Sequence, residues 1–347
     1  MTKQRKAVAL VSGGLDSLLA VRVMQEQGIH VEGINFFTGF CVEGHTHAIR
    51  KKDKDKEKRN NALWCAEQLG IKLHIIDIVE EYKDIVFNPK HGYGKNLNPC
   101  LDCKIFMVKK AKDWMLEHDF DFVITGEVIG QRPMSQRRDT MPVIQREAEI
   151  NDLLVRPLCG KNLPATKPET EGWIQRQGLY DFSGRTRKPQ MALAKQFNFE
   201  NYASPAGGCC FLTDAQYSVK LVDLWDSRGK REYEMDDIML LKIGRHIRPA
   251  KHFKIIVARE EGESNYLKGY KKQFITLETV SCPGPLALID GDPKPEDIQL
   301  AARIIGRYSK DRLADEIEVS IRQPDQSQEI IKVQPLRVDD FPTSWIL

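Results

Sequence analysis

Four short apolar runs rich in Val, Ile and Phe, at 6–11 (KAVALV), 30–37 (HVEGINFF), 72–78 (KLHIIDI) and 120–126 (FDFVITG), alternate with helical patterns at 17–27, 60–69 and 103–118. Strands that alternate with helices fold as a parallel, doubly wound α/β sheet. Residues 160–190 are rich in Pro, Gly, Thr, Lys and Arg and read as an irregular surface connection. After about residue 228 the pattern changes to KHFKIIVARE, KKQFITLET, an amphipathic helix in PEDIQLAARIIGRYSK, and two strand-like runs, EIEVSIR and EIIKVQPL. The expected organisation is an α/β domain over 1–160, a connecting segment over 161–228 packed on it, and a smaller α+β domain over 229–347.

At 347 residues, with 41% apolar and 29% charged residues, the chain has the composition of a soluble globular protein with room for two cores. No apolar run approaches the roughly 20 residues that span a bilayer. The start, MTKQRKAVALVSGGLDS, reads as a strand entering a glycine turn and not as a signal peptide. The expected location is therefore the cytoplasm, where the eight cysteines stay reduced and clustered ones serve as ligands or catalysts. A net charge of +3 is too small to announce a nucleic-acid partner. The charge run KKDKDKEKR (51–59) reads as a solvated helix or loop before it reads as an RNA contact.

The first strand ends in VALVSGGLDS, which places Ser12, Gly13, Gly14, Asp16 and Ser17 in a tight turn opening a helix. Backbone N–H groups freed by the glycines, two hydroxyls and a helix N-terminus make a nest for phosphate oxygens. No lysine follows the glycines, so this is not the phosphate loop of kinases and GTPases. It resembles the PP-loop of ATP pyrophosphatases, which implies ATP whose α-phosphate passes as AMP to a substrate oxygen, with Asp16 on Mg²⁺. Beyond the fourth strand, GEVIGQRPMSQRR (126–138) is expected to face the same cleft, because ligands of open parallel sheets bind outside the carboxyl ends of the strands. Gly126, Glu127, Gln131, Ser135 and Gln136 resemble, with one extra residue between the two parts, the G-E-x-x-G-Q-x-x-S-Q loop of tRNA 4-thiouridine synthetases, and RPL (156–158) matches that family too. Glu127 is open to three readings: Mg²⁺ ligand, nucleobase-orienting group, or helix N-cap.

By spacing alone, Cys100 and Cys103 in NPCLDC fit a zinc knuckle, a redox dithiol or an iron–sulfur site. Together with SPAGGCCFLT (204–213) they resemble the three-cysteine arrangement of iron–sulfur-dependent tRNA thiolases. That resemblance implies a [4Fe–4S] cluster on Cys100, Cys103 and Cys209, with Cys210 the rival third ligand and one iron left for a hydrosulfide. Two other readings stay open: a structural Zn²⁺ on Cys100, Cys103, Cys209 and Cys210, or a cysteine persulfide resolved as a disulfide. Cys65 reads as a core residue, Cys159 and Cys282 stand alone, and Cys41 is the one lone cysteine whose loop can reach the site. HTH (45–47) reads as a polar loop and His74 as a satisfied strand histidine.

Arg132, Arg137 and Arg138 are the foremost candidates for holding RNA, because their loop lines the nucleotide cleft; SGRTRK (183–188), LLKIGRHIRPAKHFK (240–254) and KGYKK (268–272) follow. KIGRHIRPAKHFKIIVAREEGESNYL resembles the RNA-binding domain of ribosome-quality-control factors and is expected to replace the N-terminal extension that carries tRNA in typical 4-thiouridine synthetases. The resemblances together imply a tRNA sulfurtransferase with partners tRNA and a sulfur donor, either inorganic sulfide or a cysteine desulfurase. Its expected product is 4-thiouridine in preference to 2-thiouridine. Two rivals stand beside this: a PP-loop ligase on a small metabolite with structural zinc, and a non-catalytic RNA-binding protein.

Overall fold

The structure is a computed structural model that describes residues 4–42, 60–202 and 209–347; HTH, the 51–59 charge run and SPAGG (204–208) lie outside the described residues. The chain divides into two compact units at Thr213/Asp214. The second unit thus begins one helix before the change of pattern near residue 228.

The first unit runs β1 (Lys6–Leu10), α1 (Leu15–Gln25), β2 (His30–Phe37), α2 (Asn61–Leu69), β3 (Leu73–Asp77), α3 (Val79–Phe87), α4 (Cys100–Glu117), β4 (Phe122–Thr125), α5 (Thr140–Glu147), β5 (Leu154–Val155), α6 (Lys167–Thr170) and α7 (Lys188–Gln196). The strands lie in the order β3-β2-β1-β4-β5, all parallel. The chain winds outward from β1 to β3, then returns to lay β4 on the other side of β1. The gap between the carboxyl ends of β1 and β4 is therefore the topological switch point, where such sheets bind ligands. The register, with Leu10 beside Thr125, brings the two strands to an end at the same level.

The alternation of side chains along buried strands divides the core in two. Ala7, Ala9, Phe122 and Ile124 pack with Leu19, Val23 and Leu15 of α1 on one face. Val8, Val123 and Ile34 pack with Val108, Ala111 and Met115 of α4 and Ile144 of α5 on the other. Cys65 of α2 belongs to the first of these cores. His74 on β3 is satisfied, its Nε2 lying 2.6 Å from a Glu32 carboxylate oxygen.

The second unit comprises α8 (Ala215–Arg228), α9 (Met235–Leu240), β6 (Arg245–Ala250), β7 (Phe253–Val257), α10 (Glu261–Leu267), β8 (Ile275–Thr279), β9 (Leu286–Gly291), α11 (Pro295–Arg307), β10 (Ile317–Arg322) and β11 (Gln328–Val333). Its sheet is antiparallel, in the order β11-β10-β8-β9-β7-β6. Ala301, Ala302, Ile304 and Ile305 of α11 pack on Phe253, Ile255, Leu277, Ile289 and Val319. Sequence pattern missed β6 and β9. The first carries Pro249 and sits at the sheet edge, where a missing N–H is tolerated, and the second is an unalternating apolar run in the sheet interior. Among the described residues no helix is long and apolar enough to cross a membrane.

Two glycines bring the elements at the switch point together. Gly13 has φ +77°, and a Cβ there would stand 2.6 Å from the backbone of Asn61 and Ala62 at the start of α2. A Cβ at Gly126, just past β4, would stand 2.5 Å from the backbone carbonyl of Asp16. Gly126→Ala is expected to cost about 1–3 kcal/mol by overpacking, seen as a lower urea midpoint by circular dichroism; stability equal to wild type would show that the strand end and the start of α1 do not touch.

Candidate functional site

The turn after β1 hands directly into α1. Gly14 is the N-cap and supplies no side-chain cap, while the Ser17 hydroxyl donates back to the Gly14 carbonyl at 2.8 Å. The helix therefore begins with its N–H dipoles uncapped by any side chain, the arrangement that attracts an anion. Ser12 is exposed at the mouth of the turn and Gly13 is buried against α2. The first turn of α2 is capped instead by Asn60, whose side chain accepts from the Ala62 and Leu63 N–H groups at 2.9 and 3.1 Å.

The loop after β4 meets this turn through a chain of polar contacts. Gln131 donates its Nε2 to Asp16 Oδ2 at 2.5 Å and accepts from Gln190 Nε2 of α7 at 2.8 Å. Arg187, at the N-cap of α7, lies 3.4 Å from the same Asp16 oxygen. Burial pushes the Asp16 carboxyl above its ordinary value, against the lowering effects of Arg187, the Gln131 hydrogen bond and Arg132. Its second oxygen, Oδ1, is buried with no hydrogen-bond partner. An orphaned carboxylate oxygen beside an anion cradle has the hard-oxygen chemistry of a Mg²⁺ ligand.

Glu127 lies deeper in the interior, and its Oε1, like Asp16 Oδ1, is buried without a hydrogen bond. It is 1% exposed, its Oε2 accepts from Arg156 Nε at 3.0 Å and from the Thr125 hydroxyl at 2.8 Å, and Lys104 Nζ stands 3.9 Å from Oε1. Burial works to raise its carboxyl, but Lys104, Arg156 and Thr125 outweigh it and hold the group below its ordinary value. The GE and RPL segments are thus tied by one buried ion pair. Cys159 donates to the Glu127 carbonyl at 3.2 Å, and burial pushes its thiol up to about 12.

Cys100 and Cys103 occupy the first turn of α4. Cys100 Sγ donates to the hydroxyl of Ser135, in the loop after β4, at 3.4 Å. Burial pushes the Cys103 thiol up to about 12, with Cys209 and Cys100 adding to the shift and the Tyr82 hydroxyl opposing it. Burial and then Cys209 raise Cys210 well above its ordinary value, and Cys41 and Cys103 act on it as well. Cys209 thus feels Cys100 and Cys41, and Cys210 feels Cys209, Cys103 and Cys41; all five are free thiols.

Among the described residues no three His, Cys, Asp or Glu side chains form a set that fits a single metal ion. A four-thiolate zinc and a cube-shaped cluster both draw on soft sulfur donors, which Cys100, Cys103, Cys209 and Cys210 supply. Coordination would deprotonate the thiols that burial keeps neutral.

The arginines divide. Arg137 is occupied by Asp139 through bonds of 3.0 and 2.6 Å, and Arg138 donates to the Asn162 carbonyl at 3.2 Å. Arg132 makes no hydrogen bond with another described residue; burial raises both the Asp16 carboxyl and the Cys209 thiol, and the Arg132 charge opposes that rise at each. Arg187 and Gln190 went unread as partners of Asp16, the first because SGRTRK looks like any basic stretch, the second because nothing in its local pattern marks it. The Glu127–Arg156 pair left a signal in the two separate motif likenesses.

A parallel 3-2-1-4-5 sheet carrying an SGGLDS turn at its switch point, with a separate antiparallel C-terminal unit, is an α/β PP-loop fold with an appended domain. The chain belongs to the family described as thiamine biosynthesis protein (ThiI), whose model matches residues 2–199, more than half of its length. Residues 244–346 match the NFACT protein RNA binding domain. A tRNA-specific 2-thiouridylase MnmA of Campylobacter curvus is 30% identical over 105 residues, 29% of this chain and 28% of that protein. The MnmA of Pseudomonas savastanoi pv. phaseolicola is 24% identical over 190 residues, 51% of this chain and 49% of that one. The chain thus spans about half or less of the curated relatives it matches. A crystal structure of a 4-thiouridine synthetase–RNA complex with bound ATP is similar at 21% identity and a TM-score of 0.32, over 44% of this chain and 36% of that one, too slight a likeness to build on.

Arg156→Ala, which strands a buried carboxylate, is expected to cost about 3–5 kcal/mol at neutral pH. The pair contributes fully above the ordinary carboxylate range and is lost as pH falls through the depressed value of Glu127, so the penalty shrinks on acidification. Urea titrations at two pH values check this; a penalty independent of pH would contradict it.

Proposed function

We propose that the protein is an ATP-using tRNA sulfurtransferase that adenylates a uridine carbonyl oxygen and replaces it with sulfur. The observation that carries this is the contact of Cys100 Sγ with the Ser135 hydroxyl, in the same loop whose Gln131 bonds Asp16 of the PP-loop turn. Family membership and the names of the curated relatives support it.

In this reading the N–H groups of Gly13 to Asp16 at the start of α1 hold the pyrophosphate of ATP, and Ser12 and Ser17 flank it. Asp16 offers Oδ1 to Mg²⁺ while Gln131 and Arg187 orient Oδ2. Gly126 brings the loop of Gln131 against the helix start, and Glu127 holds that loop from below through Arg156. The uracil oxygen attacks the α-phosphorus, pyrophosphate leaves, and the carbon bearing AMP becomes electrophilic. Sulfur then attacks that carbon and AMP departs with the original oxygen, leaving C=S. A [4Fe–4S] cluster held by Cys100, Cys103 and Cys209 would supply an iron without a protein ligand, and so a place for inorganic sulfide or sulfur passed from a cysteine desulfurase. Arg132, Arg137 and Arg138 face the incoming RNA, Arg137 by exchanging Asp139 for phosphate, and the domain over 244–346 holds the remainder of the tRNA. The GQ-x-x-x-SQ likeness favours 4-thiouridine as product. All of this is cytoplasmic chemistry.

Pyrophosphate release from ATP by the full chain is expected to require unmodified tRNA and to fall on the order of 10²-fold in Asp16→Asn. It is expected to persist in Cys209→Ala, because sulfur enters after adenylation. Release that is indifferent to RNA would replace this reading with a small-molecule synthetase.

A further inference from the structure

Cys41, just past β2, and Cys210 are partners in an isolated antiparallel bridge. Phe211 N–H donates to the Phe40 carbonyl at 2.9 Å, and Val42 N–H donates to the Cys209 carbonyl at 3.4 Å. Both bonds flank the cysteines, so Cys41 and Cys210 are the directly opposed residues that exchange no backbone hydrogen bond. Such pairs approach to a Cα separation of about 4.5 Å with both side chains on one face. A disulfide takes Cα atoms about 4.4–6.8 Å apart, so the backbone already holds these two within bonding range. Cys100 and Cys103, at i, i+3 in the first turn of α4, have the C-x-x-C spacing of redox dithiols and are the competing pair that the mapping below must distinguish. Cys209 sits in a bend, and it is Cys210 that the bridge sets opposite Cys41.

We propose that Cys41 and Cys210 form a reversible cross-strand disulfide that, when closed, ties the segment carrying Cys209 to the loop after β2. The oxidant is a low-molecular-weight disulfide such as glutathione disulfide. One thiol attacks it and expels a glutathione thiol; the second thiol attacks the mixed disulfide and expels the other. Two electrons leave the cysteine pair, two glutathione molecules are released carrying the two protons, and dithiols reverse the reaction. In a reducing compartment bridges of this kind are transient and redox-sensing, not structural. The assignment also divides the adjacent cysteines: Cys210 pairs with Cys41, and Cys209 stays with Cys100 and Cys103. Only that last point rests on the proposed function.

The test is peptide mapping of the full chain, purified without oxygen, treated with glutathione disulfide and alkylated. The expected result is a linked peptide pair containing Cys41 and Cys210, two hydrogens lighter than the reduced pair and abolished by dithiothreitol. In Cys41→Ser the link disappears and Cys210 carries a glutathione adduct. Failure to form the link, or a wild-type bridge using Cys100, Cys103 or Cys209 instead, overturns the proposal. Neither arm reads thiolation, so its failure is distinct from failure of the functional reading.

Discussion

The close approach of Gly126 to the backbone of Asp16 and Ser17 is the contact on which the site depends. It lets the carboxyl ends of β1 and β4 open into one crevice, and any side chain at Gly126 would force them apart. Once the two loops touch, Gln131 reaches Asp16, and Gln190 and Arg187 of α7 complete the chain of contacts. The buried Glu127–Arg156 pair then fixes the second loop from the inner side. Such a pair is a poor source of net stability, because desolvating both ions offsets most of their attraction. What it supplies is position, since neither group tolerates losing the other.

Polar groups left without partners mark where the protein is unfinished by itself. Asp16 Oδ1 is buried without a hydrogen bond, while the other oxygen of the same carboxylate is fully engaged. The carboxyl is raised by burial even with two arginines nearby, so it is a site that gains when a cation arrives. The cysteines present the same pattern in softer chemistry. Several sulfurs share a region where burial keeps Cys103 and Cys210 protonated, a state that a thiophilic ligand would reverse.

Much of this was legible in the sequence, and for physical reasons. Four strands of the first sheet announced themselves because short runs rich in Val, Ile and Phe alternate with helical patterns, although only β4 of the four is buried along its whole length, and the SGGLDS turn because few residues can make it. The α11 helix of the second unit showed its amphipathic period, and the edge pair β10 and β11 read as strands. Interior β9 has no alternation to betray it, and β6 hides behind its proline. Within the site, Asp16, Gln131 and the cysteines were named from local pattern. Arg187, Gln190 and the opposition of Cys41 to Cys210 depend on segments some 60 to 170 residues apart, and no local pattern encodes which of them meet.

One measurement bears most directly on the claim that a single cleft activates uridine and delivers sulfur to it. Unmodified tRNA is incubated with the anaerobically purified chain, ATP, Mg²⁺ and sulfide, digested to nucleosides and analysed by mass spectrometry. The account predicts a thiolated uridine that forms only when ATP is present. A tRNA that emerges without any thionucleoside, from protein that has nonetheless consumed ATP, would contradict it.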